Sequence, residues 1–198
     1  MVSTVMWVVR RMRRFLSDSR HIVFLSRACS TSDDGMLPAE FSWSCVRSGD
    51  DFYRSKLSSL SSMRKKFLKR ITRGDYCFFV QTQDALAFFV WCTESFMHLP
   101  EIGWRSRLDE KTAYLYHADT LDTFRGRGVL SAMDAIICRY LAERGISRAL
   151  AVIDKENVAV LVAHAKAGFV PVTDMRAYSM FGIWSYQPSK KMVISMLR

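Results

Sequence analysis

Glycines and arginines alternate in the stretch Thr123 to Ser131, where an apolar-rich segment ends and a long helical pattern begins. Glycine lets a backbone turn sharply and approach a ligand without a Cβ in the way. The first turn of the following helix presents unpaired N–H groups. Arg125 and Arg127 add charge-assisted hydrogen bonds to an anion. The stretch therefore predicts a pyrophosphate site; the alternative is a glycine-eased turn with two solvated arginines.

Regular elements on both sides position this stretch. A β-forming run at Thr112–Thr120 leads into it, and apolar residues at helical spacing continue from Gly128 to Arg144 with Gly145 as the stop. A short strand at Ala149–Ile153 and an apolar helix at Val158–Ala167 follow. This alternation predicts a mixed α/β sheet.

The rest of the chain adds strands around this unit. The hydrophobic pattern predicts a helix at Lys56–Arg73, whereas Phe41–Tyr53 fits no single type of element. Loops are predicted at Cys29–Ala39 and Phe96–Lys111. The predicted strands are His21–Ala28, an antiparallel pair at Tyr76–Gln81 and Ala85–Thr93, and segments at Phe169–Val172, Tyr178–Trp184 and Lys191–Leu197.

Length and cysteine content limit the class of protein. With 198 residues of ordinary globular composition, residues 1–198 are expected to form a single domain. The five cysteines are an odd number without a C-x-x-C pair, and three of them lie in apolar runs. They are interpreted as reduced thiols of a cytoplasmic protein, not as a disulfide framework or a metal site.

Positive charge is concentrated in the first third of the chain. Residues 1–73 carry 15 Lys and Arg against 6 Asp and Glu, whereas residues 74–198 carry 14 against 13. Residues 1–20 are predicted to form a basic amphipathic helix, with no signal peptide or membrane span. Two interpretations stay open: peripheral contact with an anionic membrane, or packing on the domain with solvated arginines. Nucleic acid is disfavoured because no recognised nucleic-acid motif accompanies the basic residues.

Two separated motifs give the chain a family resemblance. The run Arg125-Gly126-Arg127-Gly128-Val129 matches the phosphate loop R/Q-x-x-G-x-G/A, and Asn157 with Gly168-Phe169 matches the signature N-x(10)-G-F. Over roughly residues 74–198 the sequence resembles the GNAT acyltransferase superfamily. The resemblance implies a mixed, mostly antiparallel central sheet flanked by helices. The sequence departs from the phosphate-loop pattern at Leu130, where the superfamily has Gly or Ala.

The resemblance also implies roles for individual residues. Residues 74–198 would form the acyl-CoA-binding core, with acetyl-CoA as co-substrate and no metal. Asn157 would contact the cofactor, with a helix N-cap as its alternative. Backbone groups of the preceding strand would pair with the pantetheine arm and polarise the thioester carbonyl. The implied cofactor-binding residues are Ala118, Asp119, Thr120, Arg125, Gly126, Arg127, Gly128, Val129, Leu130, Ser131 and Asn157.

The candidate catalytic side chains belong to no motif as specific as the phosphate loop. His117 and Asp119 are the candidates for the general base, with ordinary polar strand residues as the alternative. His164 stands seven residues after Asn157, where the superfamily usually carries a tyrosine that protonates the departing thiolate. A partly exposed helix residue is its alternative.

The implied function is an acyl-CoA-dependent N-acyltransferase, most simply an N-acetyltransferase acting on a primary amine. The acceptors considered are an amino sugar, a small metabolite amine or a protein amino group, and the basic first third favours a negatively charged acceptor. A further expected partner is a second copy of the chain, in a homodimer. The alternative function is a catalytically degenerate module that binds acyl-CoA, a partner or a membrane.

Overall fold

The structure, a computed structural model, describes residues 17–180 and 183–188. The helices in this part of the chain are α1 (Gly49–Arg54), α2 (Arg64–Thr72), α3 (Val129–Glu143) and α4 (Val158–Lys166). The strands are β1 (Ser17–Ala28), β2 (Ser42–Val46), β3 (Tyr76–Gln81), β4 (Leu86–Thr93), β5 (Phe96–Leu99), β6 (Trp104–Arg107), β7 (Thr112–Thr120), β8 (Arg148–Asp154), β9 (Val170–Met180) and β10 (Ile183–Pro188).

Eight strands form one sheet in the order β10-β9-β1-β8-β7-β4-β3-β2, and β5 and β6 form a separate hairpin. Within the described residues, β7 and β8 are the single parallel pair of the sheet, and all other neighbours run antiparallel. The predicted mixed, mostly antiparallel sheet flanked by helices is therefore confirmed. Strands β1 and β2 belong to it, so the sheet includes residues that precede position 74.

Alternating side chains give the sheet two apolar faces. In β8, Ala149 and Ala151 contact one buried cluster, whereas Leu150 and Val152 contact another. We call the face that packs against α3 and α4 the back face. The front face is covered by α1 and α2 over one half of the sheet and by the β5–β6 hairpin over the other half.

The N-terminal prediction is wrong at its carboxyl end. Ser17–Arg20 was expected to be the end of a helix over residues 1–20, but it is the start of β1 and pairs with Ala177–Met180 of β9. Pairing with a strand far along the chain overrides the local helical spacing here. Residues 1–16 of that predicted helix, and the predicted strand Lys191–Leu197, lie outside the described residues.

Further predicted elements differ in the structure. The strands predicted at Phe169–Val172 and Tyr178–Trp184 are the two ends of β9, and the second also includes the start of β10. The helix expected over Lys56–Arg73 is α-helical only in α2, because two 3-10 turns at Lys56–Ser59 and Ser61–Met63 precede it. Hydroxyls of Ser58 and Ser59 donate to backbone carbonyls three residues earlier, which is how serine competes with regular helix. The loop expected over Phe96–Lys111 contains the β5–β6 hairpin.

The elements beside the glycine stretch agree with the sequence. The structure confirms the predicted strand Thr112–Thr120, the hairpin of β3 and β4, and the helices α3 and α4 to within two residues at their ends. The loop between β1 and β2 packs on α3. A Cβ on Gly35 in that loop would lie 2.4 Å from the Ala132 carbonyl oxygen, so only glycine allows this approach.

Candidate active site

The glycine stretch forms an open backbone loop that ends at the N-terminus of α3. Gly126 and Gly128 have φ angles of 77° and 73°, in the left-handed region that favours glycine, and a Cβ at either position would meet no atom within 4 Å. In the part of the chain that the structure describes, the backbone N–H groups of residues 126–131 donate no hydrogen bond. The loop therefore offers free donors and space to an anion.

The two arginines of the loop are exposed and engage only nearby acceptors. The Arg125 Nε donates to the Thr120 carbonyl over 3.0 Å, and its Nη1 lies 2.8 Å from Asp122. The Arg127 Nη1 lies 3.9 Å from Glu40. These surface pairs are weak in water and can exchange for a bound phosphate. The Leu130 side chain, at the position that departs from the superfamily pattern, packs on the buried cluster of the back face.

The sheet opens between β7 and β8 at the same end of the molecule. Their parallel pairing covers Thr112–Leu115 with Arg148–Ala151 and stops there. Beyond this point β7 contains a bulge opposite β4, at His117, whose φ is 51°. The backbone of Tyr116–Thr120 consequently has no strand partner on the β8 side. An extended ligand arm can pair with this edge, and the opening lies beside the glycine loop.

A cleft of about 1040 Å³ lies in front of this opening. Its floor is formed by side chains of β7 and β8, one wall by α2, and the other wall by the β5–β6 hairpin. Tyr114 and Tyr116 lie in the floor with their rings stacked 5.6 Å apart. The other side chains in the cleft are those of Arg20, Ile22, Lys66, Lys69, Arg70, Arg73, Asp75, Thr93, Ser95, Phe96, His98, Leu99, Pro100, Glu101, Ile102, Arg105, His117, Val152 and Asp154.

Arg70 and His117 meet at the bottom of this cleft. The Arg70 Nη1 donates to the His117 Nδ1 over 2.6 Å, so the proton of the neutral imidazole is on Nε2. Burial, with the nearby charges of Arg70 and Lys66, lowers the pKa of His117 to about 4. His117 is therefore neutral at pH 7 and a weak proton acceptor, and this environment argues against the predicted role of general base.

Asp75 and Tyr116 form a second polar pair in the cleft. The Tyr116 hydroxyl donates to Asp75 over 2.7 Å, and Arg73 lies 3.2 Å from the same carboxylate oxygen. Burial and the hydrogen bond to Asp75 raise the pKa of Tyr116 above its usual value. Asp119, the other predicted base, is half exposed beside Arg125 at 3.9 Å and does not line the cleft.

His164 lies between α3 and α4 and is 3% exposed. Its Nδ1 is 2.7 Å from the carboxylate of Asp134, which is 1% exposed, and its ring packs on Phe169 at 5.0 Å. Burial raises the pKa of Asp134, although the hydrogen bond from His164 opposes this. A closed pair between two helices does not present a proton to a ligand, so this geometry argues against the predicted general acid.

Asn157 is the N-cap of α4. Its side-chain oxygen accepts a hydrogen bond from the Val160 N–H over 3.4 Å. Asn157 therefore has the helix N-cap role that the sequence predicts as its alternative. The amide NH₂ group of the exposed side chain has no partner among the described residues, so a contact with a ligand stays compatible with the cap.

The sequence motifs do not include the cleft side chains on α2, on the β5–β6 hairpin or at Tyr116 and Asp75. One signal was present for Arg70. It stands three residues after Phe67 and next to Ile71, on the apolar face of a predicted helix where a charge is rare. The basic residues of this helix also fit a solvated face, so their spacing alone does not indicate a cleft.

Among residues 17–180 and 183–188, none of the helices has the length and apolar content that a membrane span requires. In the same part of the chain, no three His, Cys, Asp or Glu side chains are arranged to hold a metal ion.

Comparison with known proteins gives matches of structure alone. No protein-family model matches the chain, and no curated protein matches its sequence. A tandem GNAT protein from the clavulanic acid pathway superposes with a TM-score of 0.58 at 15% identity, over 86% of this chain and 54% of that protein.

Two named acetyltransferases are similar at the same level. A GNAT-family acetyltransferase from Colwellia psychrerythraea gives a TM-score of 0.54 at 13% identity, over 82% of this chain and 55% of that one. A GCN5-related N-acetyltransferase from Sphaerobacter thermophilus gives 0.53 at 11% identity, over 91% and 56%. This chain thus spans little more than half the length of these structures. Together with the glycine loop and the separated parallel strands, these likenesses show that the protein has the fold of the GNAT acyltransferases.

Proposed function

We propose that the protein is an acyl-CoA-dependent N-acyltransferase that uses acetyl-CoA and a primary amine. The observation that carries this proposal is the separation of β7 from β8 next to the glycine loop. A ligand with a pyrophosphate and a long, amide-bearing arm fits this combination of free loop N–H groups and an unpaired strand edge. When bound, acetyl-CoA supplies an acyl group activated as a thioester.

The residues of the glycine loop would hold the pyrophosphate. The donors are the backbone N–H groups of residues 126–131, with Arg125 and Arg127 adding charge-assisted hydrogen bonds. Backbone groups of Ala118, Asp119 and Thr120 would pair with the pantetheine arm along the free edge of β7. A backbone N–H near the bulge at His117 would donate to the carbonyl oxygen, where negative charge develops during transfer.

The amine would enter from the front cleft. It must lose a proton before it can attack, and a carboxylate can accept that proton directly or through a water molecule. Asp75, Glu101 and Asp154 are the described carboxylates that line the cleft. Because the phosphate loop lies on the back face, the two substrates would approach the opening from opposite sides of the sheet.

The first experiment measures cofactor binding as the shift in melting temperature on adding acetyl-CoA. A ligand at 100 times its dissociation constant stabilises a folded protein by about 2.7 kcal/mol. Gly128→Asp should abolish this shift, because it places a carboxylate where phosphate must approach a backbone N–H.

The matched control is Gly145→Asp at the other end of α3. Gly145 also has a positive φ, of 83°, and open space around its Cβ position, so the control carries the same backbone strain and the same added charge. It should keep the acetyl-CoA shift. An equal shift in both folded variants would refute the loop assignment. Release of free thiol from acetyl-CoA with a panel of amines would then distinguish an enzyme from a binding module.

A further inference from the structure

Positive charge dominates the front cleft. Six of its lining side chains are cationic and three are anionic, apart from two histidines. The cations are Arg20, Lys66, Lys69, Arg70, Arg73 and Arg105, and the anions are Asp75, Glu101 and Asp154. Four of the cations lie on or directly after α2 at positions 66, 69, 70 and 73, which is the spacing of one helical face.

Ion pairs within the protein compensate only part of this charge. Arg73 lies 3.2 Å from Asp75, and Arg20 lies 3.5 Å from Asp154. In the described part of the chain, Lys66, Lys69, Arg70 and Arg105 form no ion pair within 4 Å. The cleft therefore keeps an excess of cations without a carboxylate partner.

Arg70 differs from the lysines because it is 7% exposed. Its guanidinium is held by aromatic rings, 4.8 Å from the centre of Tyr116 and 5.1 Å from that of Trp91. Its single side-chain hydrogen bond to a described residue is the one to the neutral His117. An Arg side chain has five N–H donors in a planar fork, so donors remain for a ligand in the cleft.

The environment of Arg70 suits an anion that arrives with a ligand. Burial disfavours the charged guanidinium and lowers the pKa of Arg70, although the nearby Tyr116 and Asp75, which is outside ion-pair distance, oppose this. A bound carboxylate or phosphate would supply the missing charge, and the bond would be strong because little water competes for it. The rings that hold Arg70 orient its fork before the ligand binds, which reduces the entropy lost on binding.

We propose that the acceptor amine carries an anionic oxygen group, a phosphate or a carboxylate, and that this group binds between Arg70 and the lysines of α2. This inference rests on the proposed acyltransferase function and specifies its substrate class. The phosphates of the cofactor do not account for the cleft cations, because the glycine loop is on the other face of the sheet. A volume of about 1040 Å³ fits a small molecule.

The test compares acceptors that differ only in the anionic group. Glucosamine 6-phosphate is compared with glucosamine, and amino acids are compared with their methyl esters, at saturating acetyl-CoA. Loss of the phosphate or carboxylate should raise KM by roughly 10- to 100-fold, the effect expected of one or two charge-assisted hydrogen bonds. The comparison with the larger difference in KM identifies whether the cleft binds a phosphate or a carboxylate. Inorganic phosphate should compete with the anionic acceptor.

Variants then place the anion in the cleft. Arg70→Met should raise KM for the anionic acceptor by at least 10-fold and remove most of the preference over its neutral partner, whereas Arg70→Lys should keep part of it. Lys69→Met should raise the same KM by roughly 3- to 10-fold, and it keeps the test valid if the buried Arg70 variants do not fold. Lys65→Met is the matched control, because Lys65 is an exposed residue of α2 that does not line the cleft, and it should leave KM unchanged.

The outcomes separate this inference from the function on which it rests. Turnover without preference between charged and neutral acceptors would overturn the inference and leave the acyltransferase assignment standing. Turnover only on a polypeptide amine, or equal effects of Lys65→Met and Lys69→Met, would overturn it as well. Absence of both an acetyl-CoA shift and thiol release with any amine would overturn the proposed function and this inference with it.

Discussion

The two faces of the sheet present positive charge in different ways. On the back face, the donors are backbone N–H groups from one short stretch, residues 126–131. On the front face, they are side chains from β1, α2 and the β5–β6 hairpin, which lie far apart in the sequence. A backbone site depends on φ angles and space, whereas a side-chain site depends on residue identity. Substitutions in the cleft can therefore change the ligand without changing the fold.

The two faces also bury ionisable groups that differ in their access to a ligand. Asp134 and His164 form a closed pair between α3 and α4. Arg70 has a neutral partner and lines an open cleft. Removing one member of a closed pair leaves the other buried without a partner, which lowers the free energy of unfolding. A cation in an open cleft is instead available to a ligand. Substitutions at these residues and changes of pH can therefore break this division between stability and binding.

The largest expected effect on stability is from Asp134→Ala or His164→Ala. Removing one member leaves the other buried without a partner, so the free energy of unfolding should fall by about 3–5 kcal/mol. Urea denaturation measures this loss, and Lys166→Ala, at an exposed position of the same helix, should have little effect. Turnover per folded molecule should stay near that of the unmodified chain. A His164→Ala variant of normal stability with turnover lowered by roughly 100-fold would instead support a general acid.

A pH-dependent loss of stability is expected next, from His117. Its pKa in the folded state is about 4, below the 6.5 of an unperturbed histidine. As the pH falls below about 6.5, the unfolded chain binds a proton that the folded protein does not. Stability is therefore lost towards pH 4, by at most about 3 kcal/mol.

The measurement for His117 is the change in unfolding free energy between pH 7 and pH 4.5. The matched variant is His117→Asn, because asparagine tolerates the positive φ at this position. It should lose less stability than the unmodified chain over the same interval. Equal losses in both proteins would mean that neither burial nor the charges of Arg70 and Lys66 lower the pKa of His117 in the folded protein.

The smallest expected effect is at Asn157, on the back face. Asn157→Ala removes the cap of α4 and should lower the free energy of unfolding by about 1 kcal/mol, whereas Asn157→Ser keeps a capping oxygen and should stay within about 0.5 kcal/mol. We expect both variants to weaken acetyl-CoA binding by roughly 3- to 10-fold, because each removes the free amide NH₂ group. Unchanged affinity in Asn157→Ser would leave the residue as a cap alone.

The contrast between the faces also explains what the sequence could predict. Gly126, Gly128 and the start of α3 are neighbours in the chain, so their spacing alone predicts an anion-binding loop. Arg70 and His117 are 47 residues apart and meet only because α2 packs across the end of β7. Their contact depends on the tertiary fold, and residue spacing carries no information about it.

His164 shows a different limit of the sequence. Its distance from Asn157 places it on α4, but spacing does not say which way the ring points. The direction is decided by Asp134 on α3, 30 residues earlier, which offers a buried hydrogen-bond acceptor. Similarly, the sequence of Ser17–Arg20 is compatible with the end of a helix, and its strand conformation depends on pairing with β9.

The place of β1 in the sheet has a consequence for how the protein folds. This strand lies between β8 and β9, and its His21 bonds to Asp174, 153 residues later. During synthesis β1 precedes both partners by more than a hundred residues, and contacts of such separation slow folding. Until β8 and β9 have been synthesised and have paired with β1, both edges of β1 are open to incorrect strand pairing. Because Arg20 and Ile22 are part of this strand, the part of the front cleft that they line is completed only when β1 inserts.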